Sequence, residues 1–156
     1  MFAAILTILF SRDLVVPPKQ PDLGFEWHST DLRGANEIHI SPIYFRERPR
    51  WIRLYGIDVP NASQRGYSGA RQDLELILGR VADVHFEDEN EKHPVSRNAT
   101  CVQYLWTRGK LIQFELVRDG WAKVNDEGRK GRYAKFLIGA EAEAKRFHNG
   151  LWGLQP

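Results

Sequence analysis

The chain has 156 residues, a formal net charge of +2 and a single cysteine. This length suffices for one well-buried core, and 42% hydrophobic with 27% charged residues is typical of one ordinary soluble domain. One cysteine excludes an internal disulfide and a thiolate metal cage, and Cys101 is expected to be a buried strand residue. The mildly basic balance permits an anionic partner such as nucleic acid without requiring one.

An apolar segment, MFAAILTILF, occupies Met1–Phe10. It is about half as long as a membrane-spanning helix, and it lacks the basic start and the small-residue cleavage site of a secretory signal. Three interpretations remain open: a degenerate signal, a short helix that docks on a partner or a membrane surface, or a segment packed on its own domain. We favour docking on a protein assembly or a membrane surface, so membrane association is preferred to secretion.

Residues 14–22 contain three prolines and predict an extended linker between the apolar segment, residues 1–13, and a domain over residues 23–153. Apolar residues then alternate with a period of two, which predicts an antiparallel meander of three strands. The alternating residues are Leu23, Phe25 and Trp27, then Ile38 and Ile40, then Ile52 and Leu54.

The period changes at Ser68, where apolar residues begin to recur at helical spacing, and Gly79 stands at the expected end of this helix. The same patterns then predict two strands followed by two helices. Their predicted ranges are Val81–Phe86, Cys101–Trp106, Leu111–Asp119 and Tyr133–His148. The predicted order is therefore βββ-α-ββ-α-α.

Three blocks of the sequence carry more specific motifs. They read IRLYGIDVPN at Ile52–Asn61, LVRDGWAKV at Leu116–Val124 and AEAEAKRFHNGLW at Ala140–Trp152. In this order and at these spacings they resemble the strand-and-turn signature, the second helix and the C-terminal helix of the staphylococcal nuclease (thermonuclease) family. The resemblance covers roughly residues 23–153. It implies a β-barrel with helices (α+β), namely a five-stranded OB-fold with helices packed on one side.

The resemblance also implies calcium-dependent phosphodiester hydrolysis, with two aspartate ligands, a carboxylate base and two arginines. The cation and the guanidinium groups neutralise charge on the phosphoryl oxygens, while the carboxylate activates water. Arg53 and Asp58 match the first arginine and one aspartate of the family. Asn36 stands at the other aspartate position and Asn61 at the glutamate position, and an amide cannot take a proton from water at neutral pH.

The second arginine has no clear counterpart. Ungapped counting places Thr100 at its position, and Arg97 could serve only if the loop absorbs a shift of three residues. Glu37, next to Asn36, is a candidate substitute for the missing ligand, at a position shifted by one residue. The resemblance therefore implies Arg53 and Arg97 as catalytic residues and Asp58 and Asn36 as vestigial metal ligands. Calcium is expected only if nuclease activity persists, and no other cofactor is expected.

Charged stretches outside these motifs are open to two interpretations. One basic stretch surrounds Tyr133 and consists of Arg129, Lys130, Arg132 and Lys135. A second stretch follows Tyr44 and consists of Arg46, Arg48 and Arg50. Such stretches with exposed aromatic residues can bind a phosphate backbone, or they can simply solubilise loop and helix ends. The acidic run Glu87–Glu91 is expected to be a solvated loop, since it lacks the glycine and the spacing of a calcium-binding loop.

Three functions follow from these observations. The preferred hypothesis is a non-catalytic interaction module, an accessory or structural subunit whose apolar segment docks on a larger assembly. The second is a nucleic-acid-binding protein that does not cleave its ligand. The third is a residual metal-dependent nuclease. The loss of two charged catalytic groups favours the first, because the OB frame does not need them to fold.

Overall fold

The computed structural model describes residues 15–22, 27–42, 49–79, 83–87 and 101–154. Several sequence predictions lie outside these ranges: the apolar segment Met1–Phe10, Leu23 and Phe25 of the first predicted strand, Arg97, and Tyr44 with Arg46 and Arg48.

The described residues form eight strands and three helices. The strands are β1 Trp27–Arg33, β2 Glu37–Pro42, β3 Arg50–Leu54, β4 Ile57–Asp58, β5 Asp83–Glu87, β6 Cys101–Thr107, β7 Lys110–Leu111 and β8 Lys123–Val124. The helices are α1 Tyr67–Leu78, α2 Ile112–Arg118 and α3 Ala134–Phe147, and a 3-10 turn follows at Gly150–Trp152. The three predicted helices and four of the predicted strands have counterparts, whereas β1 overlaps the first predicted strand only at Trp27. β4, β7 and β8, each two residues long, are additional to the predicted order.

Six strands form one mixed sheet in the order β3-β2-β1-β5-β6-β7, and β4 pairs with β8 in a separate two-stranded sheet. β3 also pairs with β6, in parallel, through Ile52 with Cys101 and Leu54 with Gln103. The other pairings within the large sheet are antiparallel. The strand order therefore connects β3 both to its sequence neighbour β2 and to the distant β6.

Strands β2 and β3 separate the core from the outer surface. Successive side chains of a strand point to opposite faces, and here one set is fully buried. The buried set is Ile38, Ile40, Ile52 and Leu54. Glu37, His39, Trp51 and Arg53 alternate with these residues and lie on the outer face, where Glu37 is opposite Arg53 and His39 is opposite Trp51.

Helix α2 lies in the interior, because every residue from Ile112 to Val117 is buried. Gln113 attaches it to the sheet: its amide nitrogen donates to the Gln103 carbonyl (2.9 Å), and its amide oxygen accepts from the Leu105 N–H (3.2 Å). Both polar ends of this buried side chain are therefore hydrogen-bonded, which removes most of the cost of burying an amide.

Two close backbone approaches explain why glycine occurs in the C-terminal turns. Gly120 has φ +83°, and a Cβ there would lie 2.2 Å from the Asn149 carbonyl oxygen. A Cβ on Gly128 would lie 2.0 Å from the Gly56 carbonyl oxygen. Only glycine permits these contacts without moving a backbone segment. They hold the ends of α2 and α3 together and fix the loop after β8 against the β3–β4 turn.

The start of the described chain packs against α3. The Val15 N–H donates to the Glu143 carboxylate (2.9 Å), the Val15 side chain contacts Gly139, and Pro18 is buried. The predicted linker is therefore attached to the domain at residues 15–18. Within the ranges that the structure describes, no helix is long and apolar enough to span a bilayer.

Candidate functional site

Strands β2 and β3 bring two of the predicted site residues together. The Leu54 N–H donates to the Asn36 carbonyl (3.0 Å), so the β1–β2 turn lies directly against the end of β3. Arg53, the residue before Leu54, is exposed and lies between Glu37 of β2 and Val102 of β6. Asn36 and Arg53, two positions that the family resemblance assigns to the site, therefore lie close together at the end of β3.

Asp58 is held by the loop that follows β8. It is exposed in β4, opposite Lys123, and its carboxylate accepts a hydrogen bond from the Asn125 side-chain amide (3.2 Å). The Asn125 amide oxygen in turn accepts from the Gly128 N–H (3.0 Å). Asp58 thus takes part in positioning this loop, a structural use that requires no bound metal.

Asn61 forms a local turn. Its amide oxygen accepts from both the N–H (3.1 Å) and the hydroxyl (2.7 Å) of Ser63, and its own N–H donates to the Gln64 side chain (2.8 Å). Asparagine and aspartate commonly make this turn with the residue two positions ahead. The side chain at the position of the family's base is therefore occupied within its own turn.

The described residues do not fit the calcium site that the family resemblance implies. Glu37, the displaced substitute ligand, lies 3.6 Å from the Arg33 guanidinium, and Asn36 offers no charge. In the described ranges there is no group of three or more His, Cys, Asp or Glu side chains that could hold a metal ion. Arg97 and Thr100 lie outside those ranges, so the second arginine stays a prediction.

A groove of about 450 Å³ opens beside Asp58. It is lined by Asp58, Val59, Pro60, Gln64, Arg65, Lys123, Leu151 and Leu154. Arg53 and Asn36 are not among these residues. The groove therefore lies between the β4 turn and the C-terminal 3-10 turn, and Arg53 is not part of its lining.

The basic stretch around Tyr133 does not present the exposed aromatic ring that was predicted for it. Tyr133 was expected to be exposed, and that expectation is wrong: only 8% of it is exposed, because its ring packs edge-on against Tyr104 and Trp106 in the core. Arg129 is engaged with the buried Glu141 (2.9 Å) and Arg132 with the buried Glu87. Both arginines keep about two fifths of their side chains exposed, as Lys130 and Lys135 also remain exposed.

The prediction for Glu87, the first residue of the acidic run, is also wrong. Glu87 is not part of a solvated loop: it ends β5, is buried, and accepts hydrogen bonds from the Tyr133 hydroxyl (2.7 Å) and the Trp106 indole (3.3 Å). Arg132 provides its countercharge. Glu87 therefore joins β5 and β6 to the start of α3, and a carboxylate with this many donors is stable in the interior.

A cluster on the outer face of β1–β3 was missed by the sequence interpretation. The Arg33 guanidinium lies over the Trp51 ring (4.2 Å to the centroid), and the His39 ring lies 5.0 Å from the same indole. Arg53 lies on this face as well, two residues after Trp51. The alternation of buried and outer residues in β2 and β3 was the signal that could have grouped them.

Comparison with known proteins agrees with the resemblance. The family model described as Staphylococcal nuclease homologue matches residues 51–153, which is well over half of the chain and runs from β3 to the C-terminal 3-10 turn. It includes the positions of Arg53, Asp58 and Asn61. A search of curated proteins gave no match. With this match and the α2–α3 packing around a mixed sheet, the chain belongs to the staphylococcal nuclease family.

Proposed function

We propose that this chain is a non-catalytic interaction module, an accessory or structural subunit whose segment Met1–Phe10 docks on a protein assembly or a membrane surface. The observation that carries the proposal is the state of Asn61. The family's base position holds an amide whose oxygen is already bound by Ser63. A neutral amide engaged in its own turn neither removes a proton from water nor supplies negative charge to a cation.

The remaining groups support the same conclusion. Asn36 is a neutral residue at a metal-ligand position, and calcium affinity depends on the number of charged ligands. Removing one group that stabilises the transition state costs about 3 kcal/mol, roughly a hundredfold in rate. Loss of both a ligand and the base therefore leaves little catalysis for Arg53 to assist.

The fold does not need the missing charged groups in order to form. We infer that the pairings β1-β2-β3-β6-β5-β1 correspond to the five strands of an OB barrel, with β4, β7 and β8 as local additions. We also keep residues 23–153 as the proposed domain. Neither Asn36 nor Asn61 is among the buried core residues, so the identity of these two side chains does not decide whether the core forms.

The test is cleavage of single-stranded and duplex DNA and of RNA by the full chain, with calcium and with chelator. We expect no calcium-dependent cleavage by the natural sequence. A double variant, Asn36→Asp with Asn61→Glu, restores the two missing carboxylates and provides the matched positive comparison. Calcium-dependent cleavage by the natural sequence that disappears in Arg53→Ala would overturn the proposal and make the chain a nuclease.

Nucleic-acid binding without cleavage is the second candidate, and the cluster on the outer face of β1–β3 favours it. A partly exposed indole with Arg33 above it and Arg53 beside it combines a stacking surface with phosphate-binding cations. We expect such binding to weaken as salt rises and to fall about tenfold in Trp51→Ala, since stacking contributes about 1–3 kcal/mol per base. Salt-independent binding, or none, would exclude this candidate.

A further inference from the structure

The outward side of α3 presents one continuous stripe of exposed residues. Lys135, Ile138, Ala142 and Arg146 follow one another at spacings of three and four residues, which places them on the same face of a helix. All four are exposed, and Ile138 is 40% exposed despite its size. The stripe carries two cations, two apolar residues and no carboxylate.

The N-terminal part of the described chain reaches the domain at the border of this stripe. Val15 packs against Gly139, the neighbour of Ile138, and its N–H is bonded to the Glu143 carboxylate. The next residue, Val16, is 74% exposed, and Lys19 is exposed as well. Val15 and Val16, which follow the apolar segment and residues 11–14 in the sequence, therefore lie beside a surface that is itself apolar and cationic.

We propose that this α3 face, formed by Lys135, Ile138, Ala142 and Arg146 together with Val16, binds the surface of a bilayer that contains anionic phospholipids. The inference rests on the proposed function, in which Met1–Phe10 docks on a surface, and it names the partner. Basic residues beside exposed apolar side chains are the composition of a helix that lies at a membrane interface.

The charge of the α3 face favours a lipid surface over a protein groove. A single short apolar anchor binds membranes weakly unless a second contact assists it. The α3 face supplies that second contact through its cations. A dry protein interface would bury Lys135 and Arg146 and would require a precisely placed carboxylate from the partner for each, whereas an anionic membrane surface offers negative charge at every position.

The experiment is sedimentation of the full chain with vesicles of phosphatidylcholine alone and of phosphatidylcholine with phosphatidylserine. We expect binding to the anionic vesicles, about tenfold weaker in Lys135→Glu with Arg146→Glu, because each cation near an anionic surface adds several-fold to the affinity. Ile138→Asp should weaken binding similarly. Leu76→Asp is the matched control, because Leu76 is 70% exposed on α1 and its replacement should leave binding unchanged.

Absence of vesicle binding would overturn the inference, as would binding that is equal for both lipid compositions or unaffected by both the charge-reversal and Ile138→Asp variants. These variants alter exposed side chains, and an unchanged near-ultraviolet circular dichroism spectrum would confirm that they fold. The cleavage assay fails or succeeds independently. Without cleavage and without vesicle binding, the membrane inference is wrong while the proposed function stands; with cleavage, the proposed function itself is wrong.

Discussion

The protein uses its carboxylates in opposite ways in two regions. In the packed C-terminal region, Glu141 is 4% exposed and accepts from the Val124 N–H, Arg129 and Lys145, each at 2.9 Å. In the short strand β4, Asp58 is exposed and accepts from the Asn125 amide at 3.2 Å. The comparison shows that a buried carboxylate joins several segments of the C-terminal region, whereas an exposed carboxylate makes a single hydrogen bond to one loop.

The difference has a physical basis. A buried carboxylate must be hydrogen-bonded and paired, so replacing Glu141 would leave its donors unsatisfied and would be selected against for stability alone. An exposed carboxylate is solvated in any case, so Asn can replace it at little cost to the fold. Exposed charged residues can therefore be replaced while the fold remains intact.

The largest expected effect is at Glu141. Glu141→Gln should lower the free energy of unfolding by about 2–3 kcal/mol, since it removes a charge that serves three donors. Glu143→Gln is the control on the same helix and should cost less than about 1 kcal/mol, because Glu143 binds the N–H of Val15 at the edge of the domain. Chemical denaturation at pH 7 measures both, and equal losses would contradict the contrast between the two regions.

Glu141 also makes this loss depend on pH. Burial raises the pKa of Glu141, but hydrogen bonds from Lys145, the Val124 N–H and Arg129 outweigh it, so the pKa lies below its usual value. The stabilisation is present above the pKa of an unfolded glutamate and is lost as the pH falls through the lower folded value. The difference between the natural protein and Glu141→Gln should therefore shrink in acid.

An intermediate effect of opposite sign is expected at Asp73 on α1. Burial, and then the nearby charge of Asp119, raise its pKa from 3.8 to about 7, with Glu115 adding to the rise and Arg118 opposing it. One of its carboxylate oxygens is buried without a hydrogen-bond partner. The folded state therefore favours the protonated side chain, and stability is lost as the pH rises from about 4 through about 7.

Asp73→Asn should consequently stabilise the protein at pH 8 by on the order of 1 kcal/mol, a value reduced for partial screening by solvent. The gain should fade as the pH is lowered toward 4. Thermal unfolding between pH 4 and pH 8 measures this change in stability. The control is Asp83→Asn, at an exposed position of β5. A variant that is destabilised at pH 8 would mean that Asp73 is ionised and well paired in the folded state.

The smallest effect is expected at the two exposed charged residues that match the family motif. Asp58→Asn and Arg53→Ala should each change the free energy of unfolding by less than about 0.5 kcal/mol, because both residues are exposed. The measurement is the same denaturation used for Glu141. A loss above about 2 kcal/mol at Asp58 would show that its bond to Asn125 supports the loop far more than its exposure indicates.

The sequence predicted the main elements because their signals are local. The period of two along Ile38, Ile40 and Ile52 and the helical spacing after Ser68 reflect which side of a strand or helix faces the core. The observed bounds differ from the predicted ones by two residues or fewer at α1, α2 and α3. The two-residue strands β4 and β8 were missed, since their pairing depends on segments far apart in the chain.

The inherited site was predicted in part for the same reason. Arg53 and Asp58 lie in a motif whose spacing is local, and the neutral identities of Asn36 and Asn61 are visible in the sequence. The contacts that these side chains make were not visible in the sequence. Asp58 is bonded to a residue 67 positions away, and the cluster of Arg33, His39 and Trp51 forms only through the register of three strands.

The sequence by itself determined the family and the approximate positions of the helices and of most of the longer strands, because these depend on local motifs and local periodicity. Tertiary structure alone decided that Tyr133 and Glu87 lie in the core rather than at a charged surface. It also decided that Val15 reaches the domain beside the exposed stripe of α3. Burial and partners depend on which distant segments meet, and a one-dimensional pattern does not specify those contacts.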